Sequence, residues 1–273
     1  MNYKSIENFS QWSEEEKNHF TVNVIKGLVI DGVRKANSGH PGGPMSLADF
    51  SYILYSEFLT FDSKNPDAHS RDRVVLSVGH TCMLLYTILY LSDVLEMEDL
   101  KSFRQIDSRT PGHPEIETPG VDANAGPLGQ GVGMGIGMAV AETMLQKDNV
   151  HYTYILVGDG DLQEPIALGA ASLAGHWNLS RLIMFYDKND IQIAGETNRC
   201  DSTDYAQLFE SMKWDVQEID GHDHNEIRNA IKKAKEVDKP SIIIGNTTIA
   251  KGSHSMENKS ESHGAPFSLE EIV

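Results

Sequence analysis

Apolar positions change their period several times along the chain. From His19 to Asn37 (HFTVNVIKGLVIDGVRKAN) they recur at helical spacing. Just upstream, Ser13 followed three residues later by Glu16 predicts a capped helix start. This helix runs into a Gly/Pro cluster, SGHPGGP, and a second helix fits LADFSYILYSEFL. Arg73–Val78 reads as a short strand closing on Gly79-His80, and TCMLLYTILYLSD as another helix. Residues 104–130 form a long Gly- and Pro-rich loop, and loops of that length inside a compact domain are usually functional or disordered. GVGMGIGMAVAETMLQ keeps a helical pattern despite its glycines, with Gly129, Gly133 and Gly137 leaving one face open to a close neighbour.

Beyond residue 150 the period alternates between two and about 3.6 residues. Strands are predicted at Tyr152–Val157, Arg181–Tyr186, Trp214–Ile219 and Ser241–Asn246. Helices are predicted at Pro165–His176, Leu208–Lys213 and Asn225–Val237. This alternation implies the α/β class: a parallel sheet with right-handed crossovers and helices on both faces. The expectation is a single domain over residues 1–273, with a polar, irregular C-terminal tail from about residue 251.

Composition narrows the function. The chain has 273 residues, 40% of them hydrophobic, and a formal net charge of -17. Such acidity argues against non-specific nucleic-acid binding and against an anionic membrane surface. Two cysteines, Cys82 and Cys200, do not make a disulfide framework. With a polar N-terminus and no apolar run of spanning length, the expected location is cytoplasmic.

The densest chemistry lies in VGDGDLQEP and the later YDKNDI. In an open parallel sheet, ligands bind beyond the carboxyl ends of the strands. Asp159 follows one predicted strand and Asn189 the next, and the intervening helix lets those ends be neighbours. The Asp159 carboxylate, the Asn189 amide oxygen and the Ile191 carbonyl offer three hard oxygens, as Mg²⁺ prefers. Gly158 and Gly160 permit close backbone approach, and the Gly160 amide is suited to a phosphate near a helix start. The residues thus read as a Mg²⁺-diphosphate site. The rival is a strand-to-helix turn with Asp159 as N-cap. A phosphohydrolase of the haloacid dehalogenase type needs an upstream aspartate nucleophile in a DxD pair, and the only DxD is Asp159-Gly160-Asp161 itself. The glycines at 126–137 do not fit GxGxxG, which disfavours a nicotinamide site.

Four histidines sit in rigid loops: His40 in SGHPGGP, His80 in SVGHT, His113 in TPGHPE and His263 in SHGAP. Together they predict a pocket of donors and proton shuttles titrating near neutral pH. Zinc is disfavoured, because no H-x₃₋₅-H or CxxC spacing occurs. His222 and His224 are expected at a surface turn.

Taken in order, SGHPGGP, SVGHT, RTPGHPE, GPLGQG, GDG…N, SLAGHWNL and HGAP resemble the diphosphate-binding part of the transketolase family, from about Val24 onward. The resemblance implies a thiamine diphosphate cofactor with Mg²⁺ or Ca²⁺ held by Asp159, Asn189 and the Ile191 carbonyl. It implies diphosphate contacts from Gly160, Asn189, His80 and His263. Gly126, Pro127 and Leu128 match the segment lying against the aminopyrimidine. His40, His113 and His263 match histidines that face the donor ketose. The implied reaction transfers a two-carbon ketol unit from a ketose to an aldose, with the cofactor as electron sink. Related thiamine enzymes, such as a dihydroxyacetone- or deoxyxylulose-forming synthase, and a non-catalytic homologue are the alternatives.

Two departures from the family pattern stand out. Pro165 replaces the usual Gly after Glu164, a match for a dimer-interface carboxylate; Pro is tolerated in a helix's first turn. No residue matches the family's pyrimidine-binding domain or its activating glutamate. The resemblance therefore implies a partner subunit supplying that domain, in an α₂β₂ assembly, with the single chain inactive alone.

Overall fold

The computed structural model describes residues 6–145 and 151–272. Helix α1 (Glu14–Ala36) starts at the anticipated capping box, where Ser13 and Glu16 each accept a hydrogen bond from the other's backbone N–H. It ends at Asn37 in the left-handed conformation, φ 49°. Helix α2 (Gly42–Ile53) begins earlier than its apolar pattern, inside the Gly/Pro cluster. Pro44 fits there because a first-turn N–H has no intrahelical acceptor. A π-helical turn, Leu54–Phe58, follows.

Strand β1 (Arg73–Leu76) leads into helix α3 (Cys82–Leu91) and a short helix α4 (Met97–Lys101) that the apolar pattern does not reveal. After the long loop come α5 (Gln130–Leu145), β2 (Thr153–Gly158), α6 (Asp159–Leu162), α7 (Pro165–His176) and β3 (Leu182–Lys188). The expected end of α5 at Gln146 lies outside the described residues. Pro165 is the first residue of α7, so the helix start survives this departure. A small antiparallel hairpin, β4 (Ile191–Gln192) and β5 (Gly195–Glu196), was not anticipated. The remainder is α8 (Tyr205–Ser211), β6 (Asp215–Asp220), α9 (His224–Glu236), β7 (Ser241–Asn246) and α10 (Leu269–Ile272).

Five strands form one parallel sheet in the order β1-β2-β3-β7-β6. Its central strands are buried on both faces, so they read as continuous apolar runs. Successive residues still alternate between two cores. Tyr154, Leu156, Ile183, Phe185 and Ile243 pack with α1, α2, α3 and α9. Ile155, Val157, Met184, Tyr186, Ile242 and Ile244 pack with α5, α7 and α8.

The segment after β7 docks on the start of α2. The Ala250 N–H donates to the Gly42 carbonyl, and Phe267 is buried against Met45 and Ala250. His222 and His224 correct the sequence reading. They are not a surface turn: both donate to the buried carboxylate of Asp49, at 3.0 and 2.9 Å, with Lys26 at 3.4 Å. Burial works against the Asp49 charge, but the hydrogen bonds from His222 and His224 prevail and hold the carboxyl below its ordinary range. Because the Thr248 N–H donates to His222 Nε2, the His222 proton resides on Nδ1.

Candidate functional site

A pocket of about 420 Å³ opens beyond the carboxyl ends of β1, β2 and β3. His40, His80, His113, His263, Leu128, Gly158, Asp159, Gly160, Asn189 and Ile191 all line it. Gly126 and Pro127 are not part of its wall. Residues more than two hundred positions apart thus share one cavity because the helices return every strand in the same direction.

Asp159 opens α6 and is 6% exposed. Oδ1 accepts from the Tyr186 hydroxyl at 2.7 Å, whereas Oδ2 is buried with no hydrogen-bond partner. Burial pushes this carboxyl up to about 7, against the Tyr186 hydrogen bond and helped by the charges of Asp187 and Asp190. A buried carboxylate oxygen without a donor is costly, and a cation relieves it. Asn189 and Ile191 line the same pocket, joined by a turn in which the Ile191 N–H donates to Asn189 Oδ1 at 3.1 Å. This donor set is all oxygen, fitting Mg²⁺ or Ca²⁺. Among the described residues, no group of three His, Cys, Asp or Glu could hold a metal.

Three histidine rings meet over the site. Ring centroids lie 4.8 Å apart for His40 and His80, 5.1 Å for His80 and His263, and 5.8 Å for His40 and His263. Here the sequence expectation needs correction: His40 and His80 do not titrate near neutral pH. Burial, followed by repulsion from His263 and the other neighbouring cations, pushes His40 down to about 4 and His80 to about 3. Burial lowers His263 and His113 as well. At pH 7 the cluster is neutral, and each ring offers one donor and one acceptor.

Two glycines set the loop packing behind the pocket. A Cβ on Gly79 would stand 1.7 Å from the Ala125 carbonyl oxygen, so the long loop closes directly on this backbone. Gly129 has φ +79°, and a Cβ there would meet Glu164 at 2.7 Å.

Sequence reasoning missed two buried carboxylates. Asp161, fully buried, accepts from Ser77 Oγ at 2.7 Å, the Gly129 N–H at 2.7 Å and the Gly158 N–H at 3.1 Å. It ties the ends of β1 and β2 to the loop that carries Leu128. Asp187 accepts from Ser46, Asn189 and Thr247. The available signal was a charge inside an otherwise apolar run, LIMFYD.

Residues 17–273 match the family model described as "Transketolase, thiamine diphosphate binding domain". The chain belongs to this family. It is 48% identical over 264 residues to transketolase 2 of Escherichia coli (strain K12), covering 92% of this chain and 40% of that protein. The solved transketolase of Campylobacter jejuni superposes with a TM-score of 0.89 at 46% identity, over 92% of this chain and 40% of that one. A Pichia stipitis transketolase in complex with sedoheptulose 7-phosphate gives a TM-score of 0.89 at 39% identity, over 93% and 39%. The chain thus spans about 40% of the length of the transketolases it matches. The α/β sheet anticipated from the apolar pattern is the sheet of the transketolase cofactor-binding domain.

Proposed function

We propose that this chain forms the cofactor half of a transketolase, moving a two-carbon ketol unit from a ketose or ketose phosphate to an aldose. The observation that carries this reading is the buried, unpartnered Oδ2 of Asp159, in a pocket that Asn189, Ile191 and a cluster of neutral histidines also line. In this reading Asp159, Asn189 and the Ile191 carbonyl hold Mg²⁺. Gly160, Asn189, His80 and His263 contact the diphosphate, while Gly126, Pro127 and Leu128 border the aminopyrimidine. When bound, thiamine diphosphate supplies the electron sink for breaking the bond beside the ketose carbonyl. His40, His113 and His263 orient the sugar hydroxyls. As neutral rings they both accept and donate protons there, which a permanently charged ring does not. His80 and His263 would hold the diphosphate by donating ring N–H groups to it.

The site needs a second surface. Ile166, Leu173 and Trp177 on and just beyond α7, with Met134 on α5, are exposed large apolar side chains. This face adjoins Glu164 at the pocket edge and supports docking of a partner that carries the pyrimidine-binding domain. An α₂β₂ assembly in the cytoplasm fits that role. The test is a thermal-shift titration with thiamine diphosphate and Mg²⁺, followed by ketol-transfer assays with and without a separately produced partner. We expect stabilisation by the cofactor, and turnover only with the partner. Full turnover by the single chain refutes the partner requirement, and absence of any cofactor response refutes the cofactor reading.

A further inference from the structure

Asp187 is the last but one residue of β3 and is 2% exposed. Its Oδ2 accepts from Ser46 Oγ at 2.6 Å and from Asn189 Nδ2 at 2.8 Å, and its Oδ1 accepts from the Thr247 hydroxyl. The Ser46 hydroxyl also lies 2.8 Å from the Gly43 carbonyl, but it has one proton, and the shorter bond to Asp187 takes it. Donors from α2, from the residue after β7 and from the β3–β4 connection therefore converge on one carboxylate.

The two ends of an Asn amide are nearly equal in shape, so their chemical partners decide which end points where. Asp187 accepts from two hydroxyls, Ser46 on Oδ2 and Thr247 on Oδ1, and the end of Asn189 that faces it at 2.8 Å is the NH₂. The Ile191 N–H only donates, so the opposite end must be the oxygen. That oxygen has two lone pairs, one of which meets Ile191, leaving the other for a ligand in the pocket. Of these partners, only Asp187 anchors the amide to the rigid sheet; Ile191 belongs to the same short turn as Asn189.

We propose that Asp187 is a positioning residue: the junction of α2, β3 and the Thr247 segment fixes it, and it holds the Asn189 amide with nitrogen inward and oxygen toward the cation. The inference rests on the Mg²⁺-diphosphate reading above. Thr247 extends the junction through its neighbour Thr248, whose N–H is held by His222, itself bound to Asp49. The polar network buried on the α2–α9 side of the sheet thus supports the same amide.

Side-chain NH₂ signals of Asn189 in ¹H–¹⁵N spectra of the full chain, without cofactor, test the orientation directly. In the wild type we expect a downfield, slowly exchanging proton. Asp187→Ala should return it to the solvent-exposed range, and Asp187→Asn, whose amide oxygen still accepts, should largely preserve it. Calorimetry with Mg²⁺ in the presence of millimolar thiamine diphosphate tests the consequence. Asp187→Ala should weaken Mg²⁺ binding about 10-fold or more, as outer partners of metal ligands commonly do. Asp187→Asn should restore most of the affinity, and Ile243→Val, a core truncation away from the network, should lower Tm without weakening Mg²⁺. If Asp187→Ala does not fold, Asp187→Ser serves: it leaves a hydroxyl in the junction but is too short to reach the donors that meet Oδ2, Asn189 among them. An unchanged Asn189 signal, or wild-type Mg²⁺ affinity in both truncations, overturns the proposal. Absence of Mg²⁺-dependent binding in the wild type overturns the cofactor reading instead, while the spectra still decide whether Asp187 sets the amide.

Discussion

Asp159 and the histidines above it place opposite demands on pH. The Asp159 carboxyl titrates near 3.8 when unfolded and near 7 in the folded apo chain, so the folded chain keeps a proton that the unfolded chain has lost between those values. A cation needs the carboxylate. Mg²⁺ affinity at fixed thiamine diphosphate should therefore fall as pH drops below about 7, with protons released on binding. Calorimetry in buffers of different ionisation enthalpy measures that release, and Asp159→Asn should abolish it. His40 behaves oppositely: it titrates near 6.5 when unfolded and near 4 when folded, so the unfolded chain binds the extra proton in that window. The contribution of neutral His40 is present above pH 6.5 and is lost as pH falls toward 4. Relative to wild type, His40→Gln should gain stability over that range, read from urea midpoints at several pH values. The identities of these residues were legible in the sequence. Their protonation was not, because it depends on burial and on neighbours brought together from residues 40, 80 and 263.

At the scale of elements, the apolar pattern revealed the sheet well, because β2, β3 and β7 are buried on both faces and leave continuous runs of Val, Ile and aromatic residues. It failed where an element buries little. Helix α4 has one buried residue, Leu100, and the β4–β5 hairpin has none, so neither leaves a periodic signature. The buried Asp49–His222–His224 network was illegible for a related reason: local sequence does not announce a partner 173 residues away. The Gly79 contact supplies a test at this scale. Gly79→Ala should displace the loop at Ala125 from the end of β1, cost about 2 kcal/mol or more in the manner of core overpacking, and lose the cofactor-dependent thermal shift. Asp161→Ala should act on the same junction by releasing the Gly129 N–H and Ser77. Its lower Tm should come with increased hydrogen exchange over residues 125–130.

At the scale of the whole chain, a five-stranded sheet carries a pocket whose neighbouring face is apolar. Replacing Leu173 and Trp177 with Glu should leave the Tm of the single chain near wild type, because both side chains are already exposed. The same changes should prevent partner-dependent turnover, and analytical ultracentrifugation of the mixture should show separate species. Loss of turnover with the complex intact would place the partner elsewhere.

The docked tail has a consequence in time. During synthesis, His40 and His80 leave the ribosome long before His263, and α2 exists well before Ala250 and Phe267 come to cover its start. The sheet gains its last strand at Ser241–Asn246, while the third ring of the histidine cluster is still to be made. A nascent chain can therefore bury both cores before this pocket has a full wall. The histidine cluster closes only once His263 has followed the last strand.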